Sequence, residues 1–248
     1  MLPSTWLPLR VPRLSDRMCA CADPRGSLKA RLCVAGRRAL YRFCEVHRVA
    51  HSKCGKLIVA TSPEQLQTLE QIRSCSLSNG VDGDDALQLL TRDEAVAMEP
   101  ELHCIAALHS PATGIVSAHG LMQALHGEAE QHGASFAFGC SVSGGAILPR
   151  GRLLLHTPGL DLACDEVVNC AGLGAQPLAA NVAALLSESI PPAYYAKGNY
   201  FGLCNTASPF QRLIYPVPEA AGLGIHATID LAGRCRFGPE CAPACHDL

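Results

Sequence analysis

Apolar residues recur at spacings of three and four between positions 28 and 46. Leu28, Leu32, Ala35, Ala39, Phe43 and Val46 mark one stripe, while Lys29, Arg31, Arg37, Arg38 and Arg42 fall mostly on other faces. With Ser27 placed to cap it, this pattern predicts a helix to about His47. Cys54–Thr61 (CGKLIVAT) is short, β-branched and apolar, the mark of a buried strand. Ser62-Pro63-Glu64-Gln65 then offers an N-cap, a proline at the first helical position and a reciprocal glutamine, so a helix is expected through about Ser74 with Leu66, Leu69 and Ile72 inward. The turn-rich stretch 76–85 reads as exposed, and Thr91-Arg92-Asp93-Glu94 as the capping box of a short helix that stops before Pro100.

A further helix is expected after Ser117, with Leu121, Met122, Leu125 and Ala129 as its stripe and Gly133 as its stop. Alternation over 134–142, with Phe136 and Phe138 on one side, predicts a strand, as do 152–156 and 166–170. The last of these runs into Ala171-Gly172-Leu173-Gly174, small residues that let a backbone approach a ligand closely. From there the chain is strand-like: 194–203, 212–217, 223–228 and 234–238 are short β-rich pieces divided by Pro, Gly or Asn, as in an antiparallel sheet. The fold class is mixed α/β.

Composition removes several functions. Twenty Lys and Arg against 22 Asp and Glu, with 5% aromatics, provide neither the charge nor the stacking surface of a nucleic-acid binder. No apolar run approaches the ~20 residues of a membrane span. Fourteen cysteines are many for 248 residues, but Cys19-x-Cys21 and Cys241-x3-Cys245-His246 lack the paired two-residue spacing of zinc sites. Cys33, Cys44, Cys140 and Cys170 sit in apolar patterns and read as small buried hydrophobes, with no metal. The first 26 residues have no apolar core and are no secretory signal; Pro3, Pro8 and Pro12 oppose the amphipathic helix of an organelle-targeting peptide.

Gly222-Leu223-Gly224-Ile225-His226-Ala227 spells the dinucleotide fingerprint G-x-G-x-x-G/A, yet Pro216 and Pro218 precede it and the residues after it are β-like, so no phosphate meets a helix N-terminus there. Gly55-Lys56 lacks the upstream glycine of a phosphate loop.

Seven segments carry more information in combination: SLKARLCVAGRRALYRFC, CGKLIVAT, TGIVSAHGL, VVNCAGLGA, YYAKGNYF, LIYPVPE and GLGIHATIDLAGRCRFGPE, in this order. Together they resemble the L-2-hydroxyglutarate dehydrogenase/oxidase branch of the FAD-dependent D-amino-acid-oxidase-like superfamily, from about Gly26 to Glu240. KGNYF, YPVP and GIHAT are specific to that branch, whereas VVNCAG indicates only a flavin fold.

The resemblance implies a partial FAD-binding domain and an antiparallel-sheet substrate domain interleaved in sequence. These would comprise an unmatched leader (1–26), a linking helix (27–50), substrate-domain segments (51–113 and 181–240) around a flavin segment (114–180), and an unmatched tail (241–248). It implies FAD as cofactor, met by Ala171, Gly172 and Leu173, and a small 2-hydroxy acid and an electron acceptor as partners. His226 would be the catalytic base, since imidazole titrates at about 6.5. Lys197, Gly198, Tyr215 and Arg236 would contact the substrate, the two cations meeting its carboxylates.

Family members open with a glycine-fingerprint βαβ unit and end in a glycine-rich stretch. The Pro- and Arg-rich start and the CAPACHDL end of this chain imply truncation at both ends, leaving flavin-domain sheet edges open to self-association. Two alternatives remain: a non-catalytic remnant, which would purify colourless rather than yellow, and a related amino-acid or glycerol 3-phosphate enzyme. Related enzymes include bacterial and mitochondrial forms, which leaves cytoplasm and mitochondrion both open.

Overall fold

The computed structural model describes residues 23–183, 185–218 and 224–243. The start of the leader, the end of the tail and the Gly222–Leu223 part of the fingerprint spelling lie outside the described residues. The helices are α1 (Leu28–Val46), α2 (Leu66–Ser78), α3 (Arg92–Met98), α4 (Ala118–Gln131) and α5 (Ala175–Ala180). The strands are β1 (His51–Ser52), β2 (Lys56–Ala60), β3 (Gln88–Thr91), β4 (Ala106–Ser110), β5 (Ile115–Val116), β6 (Gly144–Ile147) and β7 (Leu153–Thr157). They continue with β8 (Leu160–Cys164), β9 (Val182–Ala183), β10 (Ala196–Gly202), β11 (Leu213–Pro216), β12 (His226–Ile229) and β13 (Cys235–Pro243). Two compact units result: a larger one of residues up to Gln131 together with Lys197–Ala242, and a smaller one of His132–Ala196 with the chain end.

In the larger unit seven strands form one sheet in the order β10-β13-β12-β11-β2-β4-β3. Its late strands are antiparallel, as expected, β12 pairing with both β11 and β13. The join to the early strands is parallel: Leu213, Ile214, Tyr215 and Pro216 lie opposite Lys56, Leu57, Ile58 and Val59. Every residue of β2 is buried, because β2 is central and covered on both faces. One cluster joins Leu57, Val59, Ile214, Ala227 and Ile229 to Ala95 and Leu102, and a second joins Ile58, Ala60, Leu108 and Val217 to Leu69 and Ile72 of α2.

Helix α1 forms where expected but buries another face: Ala30, Val34, Arg37 and Cys44 are buried, while Leu28, Leu32, Ala35, Ala39 and Val46 of the expected stripe are exposed. Capping signals act largely as expected. The Ser27 hydroxyl accepts from the Ala30 N–H (3.1 Å), and the Thr91–Glu94 capping box closes in both directions. At α2 the expected capping glutamine turns elsewhere: a 3-10 turn (Pro63–Gln65) precedes the helix, and Gln65 accepts from the Thr61 N–H (2.8 Å). Leu66 stays exposed, and α2 runs past Ser74 to Ser78, so Ser76 and Val81 are buried rather than part of an exposed turn region. Met122 and Leu125 of α4 are also exposed, leaving Leu121 as the buried member of that stripe.

The smaller unit holds a four-stranded sheet in the order β8-β7-β6-β9. Two expected strands are absent from it. Residues 134–142 are irregular and, up to Ser141, exposed, with Phe136 and Phe138 stacked on each other at 6.2 Å, and 166–170 are exposed and outside any strand, Val168 at 82%. Alternating or apolar sequence becomes a strand only where a neighbour offers backbone partners, and none of the described strands flanks either stretch. Cys140 and Cys170, which fall in these stretches, are exposed rather than buried, whereas Cys44 is buried as expected.

Candidate functional site

The pairing of β11 with β12 sets the geometry. Gly224 has φ +67, and a Cβ there would strike the Pro216 ring, so the close approach this glycine permits is one of chain to chain. The antiparallel register that places Ile214 opposite Ala227 brings Tyr215 opposite His226 on the same sheet face. Their rings stack with centroids 3.8 Å apart and planes 4° apart, and both residues are buried. On the other flank of β11, Lys56 of β2 is buried as well, its Nζ 4.9 Å from the Tyr215 centroid.

Arg236 and Lys197 are exposed. Arg236 lies opposite Thr228, two residues along β12 from His226 and on the same face, and its carbonyl accepts from Thr228 Oγ1 at 3.4 Å. Lys197 is the second residue of β10, the edge strand beside β13, and alternates with Gly198, so the two face opposite sides. A Cβ at Gly198 would come to 3.0 Å from Pro239 Cβ, which places the next strand against that position. Tyr215 and His226 are thus brought together with Arg236 nearby on their face, while Lys197 stands apart at the edge.

Ala171, Gly172 and Leu173 belong to the smaller unit and are exposed. The Asn169 carboxamide shapes their turn: Oδ1 accepts from the Ala171 N–H (3.1 Å) and Nδ2 donates to the Ala175 carbonyl (2.8 Å). Gly172 has φ +59 with nothing within 4 Å of where a Cβ would lie, so its backbone is open to close approach. These residues fit contact with a flat group such as a flavin. They do not amount to a phosphate cradle, since among the described residues no strand leads through paired glycines into a long helix. Ile225 leads from Gly224 straight into a strand, which disposes of the fingerprint spelling at that place.

Two structural participants escaped the sequence reading. Lys56 was visible as a charge inside an apolar run, a combination rare in buried strands without a reason. Glu99, 1% exposed, has a subtler signal. Its carboxylate accepts from the Gln211 N–H (3.2 and 3.1 Å) and from Arg212 Nη1 (3.1 Å), tying the end of α3 to the start of β11, which carries Tyr215. His109 is half-buried; burial, then the nearby Arg212 charge, push its imidazole pKa down.

Comparison with known proteins agrees with this architecture. The chain is 36% identical to the mitochondrial L-2-hydroxyglutarate dehydrogenase of Arabidopsis thaliana, over 88% of this chain and 51% of that protein. It is 28% identical to the L-2-hydroxyglutarate dehydrogenase of Escherichia coli K12, over 87% and 50%. It is also 28% identical to the human mitochondrial enzyme of that name, over 86% and 48%. The chain thus spans about half the length of the curated relatives it matches, which include mitochondrial and bacterial proteins.

Among solved structures, the L-alpha-glycerophosphate oxidase of Mycoplasma pneumoniae with FAD bound superposes with a TM-score of 0.76 at 19% identity, over 92% of this chain and 60% of that one. The glycine oxidase of Geobacillus kaustophilus gives 0.73 at 22%, over 93% and 60%. No helix among the described residues is long and apolar enough to cross a membrane. The profile of the FAD dependent oxidoreductase family matches residues 11–247, nearly the entire sequence, and the chain belongs to that family.

Proposed function

We propose that this chain furnishes the substrate-binding side of an FAD-dependent oxidoreductase that converts L-2-hydroxyglutarate, or a closely similar 2-hydroxy acid, to the 2-oxo acid. The observation that carries the reading is the buried Tyr215–His226 ring pair, formed by the LIYPVPE and GIHAT segments on adjacent strands. Bound FAD supplies a two-electron acceptor for the hydride leaving C2, and Ala171, Gly172 and Leu173 are the residues of this chain that would touch it.

The remaining work falls to side chains. A nitrogen of the His226 imidazole accepts the hydroxyl proton as the hydride leaves C2, so that the C2–O single bond becomes the carbonyl of the 2-oxo acid. Tyr215 holds the imidazole plane by stacking. Arg236 and Lys197 offer cations to carboxylates, with the Gly198 backbone beside Lys197. Repeated turnover would also require an electron acceptor.

Incubating the whole chain with FAD and an acceptor dye tests the proposal. L-2-hydroxyglutarate is expected to reduce the dye, and His226→Asn to slow it by about a hundredfold or more. Calorimetry adds a readout independent of turnover: L-2-hydroxyglutarate binds, glycine and glycerol 3-phosphate do not. Preference for either of the last two, or full activity of the Asn variant, would overturn the reading.

A further inference from the structure

Of the four lysines in the chain, Lys56 alone is buried, although its strand is otherwise wholly apolar. The register explains where its ammonium goes. Lys56 lies opposite Leu213 and Ile58 opposite Tyr215 in the parallel β2–β11 pair, so Lys56 rises on the same sheet face as the Tyr215 ring and reaches it diagonally. The parallel His226 ring, 3.8 Å away, fills one side of Tyr215. β2 and β12 flank β11 on opposite sides, so an ammonium 4.9 Å from the centroid stands toward the other.

We infer that Lys56 is a positioning residue for His226, acting through the Tyr215 ring between them: it holds the ring pair in register and favours the uncharged imidazole. The inference rests on the reading of His226 as the base, which works only when neutral. Two physical effects support it. A cation against a π-face is attracted to it, which pins Tyr215 from the side His226 leaves open. A proton added to His226 would create a second positive charge, separated from Lys56 by no more than about 9 Å across one ring. At an effective dielectric constant near 20, that repulsion corresponds to about one pH unit.

Among the described residues, the strands paired with β12 set these groups opposite or beside His226. β11 contributes Tyr215, and β13 contributes Gly238 directly opposite and Arg236 two residues along. Arg236 pushes in the same direction as Lys56, but it is exposed and screened, and it is unchanged in any Lys56 variant.

The test tracks the ten imidazoles of the full chain by NMR titration, with His226 assigned by its loss in His226→Gln. Lys56→Met keeps the apolar stem and removes the charge; the His226 midpoint is expected to rise by about one pH unit. Lys56→Arg keeps the charge and should return it to within about 0.2 units of the wild type. An unmoved midpoint in a folded Lys56→Met chain overturns the inference. Should that variant fail to fold, the wild type still decides: the Lys56 ε-protons should resonate upfield of those of Lys29 and Lys197 through the ring current of Tyr215. Their absence of displacement also overturns it. If the midpoint moves but His226→Gln remains fully active, the coupling stands and the base assignment falls.

Discussion

Replacing Glu99 by alanine isolates the link that anchors β11. The Glu99 carboxylate receives two donors from a segment more than a hundred residues away: the Gln211 N–H, bonded to both oxygens, and Arg212 Nη1 at 3.1 Å. Charge-assisted bonds of this kind contribute about 1.5–3 kcal/mol each. Arg212 keeps 28% of its side chain exposed and also donates to the Met98 carbonyl (3.1 Å), so it can turn to water, and its share falls to about 1 kcal/mol. The Gln211 N–H is directed at the buried Glu99 carboxylate, and leaving it without that acceptor costs about 2 kcal/mol. Glu99→Ala should therefore destabilise by about 3 kcal/mol, whereas Glu99→Gln, which retains an acceptor, should lose about 1 kcal/mol. Urea unfolding at pH 7 measures both values, and the alanine variant should melt about 6–12 °C lower. An alanine variant within 1 kcal/mol of the wild type, or no less stable than the glutamine variant, would refute the assignment of β11's anchorage to this carboxylate.

Two further outcomes concern the larger unit. A Cβ at Gly114 would collide with the Ser52 carbonyl and the Tyr41 hydroxyl, which donates to the Ala112 carbonyl (3.1 Å); Gly114→Ala should cost about 2–4 kcal/mol by overpacking and loss of that bond, measured by the urea midpoint. Because the folded His109 pKa lies below the ordinary 6.5, the unfolded chain takes up the proton first; stability should decline as pH falls below about 6.5, and His109→Gln should show a shallower decline between pH 8 and pH 5.5 than the wild type.

Elements governed by neighbours in sequence were legible: Ser27 caps α1, Thr91 and Glu94 close their box, and the apolar run of β2 is buried. What depends on distant partners was not. The alternation of 134–142 and the apolar run 166–170 state a preference for extended backbone, but whether another strand lies alongside is a property of the whole chain. β4 is apolar enough to be buried yet too short between Pro100 and Pro111 to announce itself. His226 and Tyr215 were both singled out from their motifs, but their stacking depends on a register that only the β11–β12 pairing defines. Lys56 joins them only because β11 lies parallel to β2.

That parallel junction carries a cost in time. Roughly 150 residues separate β2 from the strand that covers its flank. At ribosomal speeds of 5–20 residues per second, the first half of the sheet waits roughly 8–30 s before its neighbour is synthesised. Throughout that interval the backbone edge of β2, with Leu57 and Val59, stands open to any extended peptide nearby. The early strands therefore form a sticky nascent intermediate, and the yield of soluble protein should depend on chaperone supply and growth temperature more than on the stability of the finished sheet.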